Sequence, residues 1–152
     1  MANIDEHKSN YKNYSIKTLK EVRRTGLSYF RDFDVLLAKM TPCFENGKSC
    51  LVKNLQNGIG FGSTEFYVIR GKEIVPELVY YIIESNDFID KGKLMMVGTT
   101  GRKRLLKDFV KNYKLLLPPL EEQKKIASLF LSIDNAIEKV DMQENYLKTL
   151  WK

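Results

Sequence analysis

The hydrophobic pattern divides the chain in two. From Pro118 to Trp151, apolar residues fall at Ile126, Phe130, Ile133, Ile137, Val140, Leu147 and Trp151, in steps of four and three. That is the seam of a coiled coil, interrupted only where Glu144 takes a seam position. No glycine or proline breaks the run. Pro118 and Pro119 stand just ahead of it, and Glu121 and Glu122 follow where negative charge complements a helix N-terminus. The spacing predicts one helix over residues 118–152, a rod of roughly 50 Å at about 1.5 Å per residue. A small domain cannot cover so long a stripe, so a partner helix is expected along it. Asn135 and Glu144 are polar residues of the kind that set register or orientation in such a seam.

Upstream of the rod the pattern is short and mixed. DVLLAKM (34–40) is an apolar run opening on an acidic turn residue, which fits a buried strand. TPCFENGK (41–48), with Pro42 and Asn46-Gly47, predicts a hairpin-like loop, and 49–53 the returning strand. Strands are also expected at EFYVIR (65–70) and at YKLLL (113–117), the latter delivering the chain to the two prolines. PELVYYIIES (76–85) starts with proline at a first-turn position and carries Leu78, Tyr81 and Ile82 on one side, so it predicts a helix. A second short helix is expected from Phe88, ending near Gly92 or continuing to Met96, and a helical turn over 107–112. Residues 14–22 fit either a short helix or a strand. Residues 23–33, basic with interleaved aromatics and broken at Gly26, are expected to connect. At 57–64, Gly58, Gly60 and Gly62 predict a glycine loop whose backbone turns or approaches something closely, and 97–105 is expected as a glycine-bracketed loop. The sum is an α/β (α+β) domain over 1–117 followed by a long C-terminal coiled-coil helix over 118–152.

Composition narrows the function classes. With 152 residues and 43% hydrophobic content the chain can bury a real core. No apolar run approaches the roughly 20 residues that span a bilayer, and MANIDEHKSN is too polar for a signal peptide. No membrane association is expected. Cys43 and Cys50 lack metal-ligand spacing and suit reduced thiols in a cytoplasmic protein. The only histidine, His7, lies in a polar stretch and is expected at the surface. The charge is uneven. Residues 1–118 hold 20 Lys/Arg against 13 Asp/Glu, and 119–152 hold five against six. An anionic partner for the first part and a protein partner for the rod follow from that split.

Catalytic patterns are missing. The glycines at 58, 60 and 62 precede a strand, whereas a phosphate cradle needs a helix N-terminus aimed at the anion. Gly47-Lys48-Ser49 lacks the upstream glycine and following helix of a nucleotide-binding loop. Pro118-Pro119 is followed by Leu120, so no Asn/Asp-Pro-Pro-aromatic methyltransferase motif is present. No ligand cluster suggests a metal, and no cofactor is expected. The loops offer more. Thr99, Thr100, Arg102, Lys103 and Arg104 combine hydroxyls with a basic triplet, the equipment of a phosphate-gripping loop, and arginine also reads guanine bidentately. Lys39, Thr41 and Lys48 flank the hairpin, and Ser63 and Thr64 end the glycine stretch. Solvated turns would look the same one at a time. As a set they are DNA-binding candidates if the strands bring their ends together.

LLLPPLEEQKKIASLFLSIDNAIEKV (115–140) resembles the specificity subunit of type I restriction–modification systems, where such a motif leads into a long conserved helix. FRDFDVLLAKMTPCFENGKSCLV, GFGSTEFYVIRG with PELVYYII, and VGTTGRKRLLKDFVKNYKLLLPPL are similar to other segments of that family. The resemblance implies a non-catalytic target recognition domain that binds double-stranded DNA. It also implies a spacer helix that packs against a second such helix, and a platform for methyltransferase (modification) subunits, with a restriction subunit joining through the complex. Family members usually carry two recognition domains and two helices. One of each is present here, and the usual N-terminal strand region with its Gly-Gly-Thr-Pro-like segment is not seen. A half-subunit or truncated form is therefore expected, working as a homodimer or pairing with another specificity-subunit helix to read a split site. The rival expectation is an assembly or inhibitory protein that binds partner subunits through its helix and does not read DNA.

Overall fold

The computed structural model describes residues 15–22 and 26–151. His7 and Tyr14 lie outside that range. After a one-turn helix α1 (Leu19–Val22), the order is β1 (Ser28–Arg31), β2 (Val35–Ala38), β3 (Ser49–Leu51), β4 (Ile59–Gly62), β5 (Phe66–Ile69), α2 (Pro76–Glu84), α3 (Asn86–Leu94), β6 (Met96–Val97), β7 (Arg104–Leu105), α4 (Lys107–Asn112) and α5 (Leu120–Leu150). Mixed strands and helices with one long terminal helix bear out the fold class.

Strand β2 is the centre. It pairs antiparallel with β3 on one side and β5 on the other. All four of its residues are buried, because both faces of the sheet are covered. Val35 and Leu37 point into a core with Phe44, Val79, Tyr80, Ile83, Phe88 and Leu105, while Leu36 and Ala38 face a smaller cluster with Cys50, Val52 and Phe66. A strand buried on both sides reads as a continuous apolar run rather than an alternation, as VLLA does. The loop 41–47 turns between β2 and β3, as expected. In the interval 14–22, residues 15–18 carry no regular structure and Leu19–Val22 form the helix α1.

Three expectations need correction. Residues 28–31 are not connection but strand β1, and residues 59–62 are not loop but its antiparallel partner β4, with Tyr29 opposite Phe61 and Phe30 opposite Gly60. The glycines serve packing: a Cβ at Gly60 would sit 2.3 Å from the Phe30 ring. The ring occupies the space that a side chain would need, so the glycines serve the close approach that is one of the two expectations for them, within a strand rather than a loop. Third, residues 113–117 form no strand. Tyr113 is anchored, with its ring against Phe88 and Phe109 and its hydroxyl donating to Asp87 at 2.5 Å. Leu115, Leu116 and Leu117 are exposed, and no strand among the described residues pairs with them. Apolarity alone does not make a strand without a ladder partner.

The loop predicted over 97–105 is a hairpin, closed by Met96 opposite Leu105 and Val97 opposite Arg104. Gly98 makes its tight start possible: φ is +133°, and a Cβ there would lie 2.6 Å from the Arg102 carbonyl oxygen.

Helix α5 begins at Leu120, one residue after the proline pair. The contacts that hold it to the described part of the domain run from Gln123 to Asp134. Gln123 and Ala127 are buried, and the Phe130 ring lies 4.8 Å from that of Tyr81. Farther along, the seam is open: Ile133 is 46%, Ile137 54%, Val140 62%, Leu147 54% and Trp151 88% exposed.

Candidate functional site

Antiparallel pairing decides where the candidate residues meet. Since β3 and β5 both run against β2, the end of β2 at Ala38 lies beside the beginnings of β3 and β5. Lys39, just after β2, Lys48, just before β3, and Ser63 and Thr64, just before β5, therefore gather at one end of the central sheet. The β6–β7 hairpin is stitched to the same end. Met40 bridges Arg104, the Thr41 N–H donates to the Lys103 carbonyl at 3.0 Å, and the Leu105 N–H donates to the Lys39 carbonyl at 2.8 Å. The Thr41 hydroxyl adds a 3.3 Å bond to the same Lys103 carbonyl. Thr99, Thr100 and Arg102, exposed in the hairpin loop, complete the set. Residues from three separate loops thus share one cationic end.

They do not share one condition. Lys39 Nζ donates to the Thr64 carbonyl at 2.6 Å and sits 5.3 Å over the Tyr67 ring. The Arg104 guanidinium reaches Met40 Sδ at 3.3 Å and the Glu65 carboxylate at 3.5 Å. Ser63 Oγ accepts from the Glu65 N–H at 3.1 Å. These three brace the loops. By contrast, no side-chain hydrogen bond or ion pair engages Lys48, Arg102 or Lys103 among the described residues. The backbone beneath Arg102 is held by its own N–H, which donates to the Thr99 carbonyl at 2.9 Å. A charge held on a fixed backbone but not spent internally is available to an external anion.

Two neighbours went unnoticed in the sequence. Tyr67 donates its hydroxyl to the Leu105 carbonyl at 2.7 Å, tying β5 to the hairpin, and burial pushes its phenol up. Glu65 places a carboxylate among the cations. Its position next to Thr64 was the only available signal.

The opposite end of the sheet has a structural ion pair. Asp34 is fully buried and accepts from Arg70 Nε and Nη2, each at 2.7 Å, and from the Arg31 N–H at 2.9 Å. Burial alone would raise its carboxyl pKa, but Arg70 and the Arg31 N–H outweigh that and hold it below the usual carboxylate range. Neither cysteine is disulfide-bonded, and burial pushes the Cys50 thiol up to about 12, which keeps it protonated and unreactive at neutral pH.

Helix α2 connects the two ends. Its last residue, Glu84, accepts from Ser49 Oγ at the cationic end. Helix α5 runs alongside it in the same direction: Gln123 meets Val75 before α2 begins, and Asp134 meets Tyr81 two turns later. The rod thus rises from the Asp34–Arg70 end toward the level of the cationic end and continues beyond its last contact with α2. Among the described residues no group of His, Cys, Asp and Glu is arranged to hold a metal, and no helix is long and apolar enough to cross a membrane.

Comparison with known proteins gives two results. Residues 5–145 match the family model described as the type I restriction modification DNA specificity domain. Two Escherichia coli proteins are similar over most of the chain. The type I restriction enzyme EcoEI specificity subunit is 36% identical over 130 residues, 84% of this chain and 22% of that protein. The EcoAI specificity subunit is 34% identical over 132 residues, 86% of this chain and 22% of its own length. The chain therefore spans about a fifth of the curated relatives it matches.

Proposed function

The chain belongs to the type I restriction modification DNA specificity domain family, and from that premise we propose that it reads one half of a split double-stranded DNA site without catalysing a reaction itself. Residues 1–117 are the reader. Residues 118–152 are the spacer, which pairs with a second copy or with another specificity-subunit helix and forms a platform for modification subunits. A restriction subunit joins through that complex. The observation that carries the DNA half of the proposal is the convergence of three loops on one end of β2, with Lys48, Arg102 and Lys103 uncommitted there. Such cations supply phosphate affinity, and the hydroxyls of Thr64, Thr99 and Thr100 beside them offer contacts to sugars or base edges, while Thr41 and Arg104 brace the hairpin against β2 and β5. The observation behind the pairing half is the open seam from Ile133 onward, apolar and more than 40% exposed.

The full chain, alone and with a modification subunit, is titrated with a double-stranded oligonucleotide pool over a range of salt concentrations. Affinity that falls linearly in log–log form with salt, together with enrichment of one half-site sequence, is the expected result. Binding without salt dependence, or no DNA binding in either form, overturns the reader role.

A further inference from the structure

We infer that Gln123 is a positioning residue: its buried amide locks the direction in which α5 leaves the domain, and so sets the register between the cationic end and whatever helix pairs along the distal seam. The link that carries α5 is anchored at its start by Tyr113, on Phe88, Phe109 and Asp87, which leaves the stretch from Lys114 to Pro119 between that anchor and the helix. Residues 113–119 form no regular secondary structure, and Pro119, the last residue before the helix, is extended at φ −54°, ψ 150°. Prolines stiffen that segment but do not fasten it to the domain.

Gln123 does. It is only 3% exposed. Its Oε1 accepts from the Val75 N–H at 3.0 Å, and its Nε2 donates to the Glu73 carbonyl at 3.2 Å and to the Pro118 carbonyl at 3.0 Å. One planar amide therefore joins the helix, the segment that leads into it and the turn before α2. The Val75 N–H sits ahead of α2, where backbone donors have no helical partner, so the amide answers a need that an apolar side chain would leave open. A second grip lies higher up. The Tyr81 ring packs on Phe130, and its hydroxyl donates to Asp134 at 2.6 Å. This second grip is partly exposed, which leaves the buried amide as the root of the rod.

Leverage makes that root matter. From residue 123 to 150 the helix is about 40 Å long at about 1.5 Å per residue. A 10° swing at the root displaces the far end by about 7 Å, or about two base-pair steps at roughly 3.4 Å each. If α5 is a spacer between two readers, as proposed above, a loosened root blurs the spacing that the pair accepts.

The test uses the full chain with spin labels at Lys93→Cys on α3 and Thr149→Cys near the end of α5, in a Cys43→Ser background, diluted with unlabelled protein so that only intramolecular distances are read. The parent gives a narrow distance distribution. Gln123→Met, which keeps the stem and loses the three bonds, broadens it by roughly 5–10 Å, the displacement expected of a swing near 10°. Val75→Pro removes the donor at a residue whose φ of −66° already suits proline. It should broaden the distribution in the same way, and it substitutes for Gln123→Met if that variant does not fold. Affinity for DNA with a single half-site stays within about twofold for both, whereas the preference of the paired form for one half-site spacing relaxes. A distribution as narrow as the parent's in the folded variants, or a lowered melting temperature with unchanged width, overturns the inference. Broadening in a chain that binds no DNA upholds the clamp and refutes the spacer role instead.

Discussion

Arg102 and Lys103 should carry phosphate affinity, whereas Lys39, equally basic, should not. Lys39 is already engaged with the Thr64 carbonyl and the Tyr67 ring, so moving it to a phosphate exchanges one partner for another. Arg102 and Lys103 have no such commitment among the described residues. Each phosphate neutralised adds about 0.9 to the magnitude of the slope of log K against log salt. The double substitution Arg102→Ala/Lys103→Ala is therefore expected to reduce the slope by about 1.8. At 0.15 M salt each contact is worth about 5-fold in affinity by the same relation, so the pair is worth about 30-fold. Lys39→Ala should leave the slope within about 0.3 of the parent, and should instead lower the melting temperature by a few degrees as the β2–β5 loop contact is lost. Fluorescence anisotropy with a labelled duplex at four or five salt concentrations measures the slopes, and a thermal melt measures the rest. Equal slope losses for Lys39→Ala and for either single hairpin substitution would refute the division into bracing and available cations. An unchanged slope in the double variant would remove the hairpin from the interface.

Two further outcomes follow from the packing. Arg70→Met leaves the Asp34 carboxylate buried with only the Arg31 N–H, which should cost about 2–4 kcal/mol by urea unfolding at pH 7. Asp34 has a lowered pKa in the folded protein, so its contribution is present above its unfolded value near 3.9 and is lost as pH falls through the folded one. The gap between parent and variant should therefore narrow below about pH 4, and a gap independent of pH would refute the assignment. On the rod, Ile133→Glu/Ile137→Glu places charge on a seam about half exposed in the single chain, so the fold should survive while self-association is lost. Light scattering at several concentrations reads the mass, and an unchanged oligomer would show that the seam is not the interface.

Much of this protein is local, and local features are legible in a sequence. The α5 seam, its start after Pro119, the first-turn proline of α2 and the apolar run of β2 each depend on residues within a few turns of one another, where period and propensity act. So do the hydroxyls and cations of the candidate loops. What periodicity could not show was pairing between distant segments. The β1–β4 ribbon exists because Gly60 and Gly62 leave room for Phe30, some thirty residues earlier. YKLLL has strand composition, but among the described residues no strand pairs with it, and its leucines stay in solvent.

The same boundary runs through the site and the rod. Sequence alone determined which residue types the loops carry and that the terminal helix has an apolar stripe too long for a small domain to cover. Only the tertiary structure decided that three loops meet, because antiparallel pairing brings the end of β2 beside the starts of β3 and β5. It also decided which cations are spent on internal carbonyls, and that one glutamine in a charged helical turn is buried against the root of α2. Hydrogen bonds that span 48 or 50 residues leave no trace in spacing. They are fixed only when the folded core has set the distances that an amide can bridge.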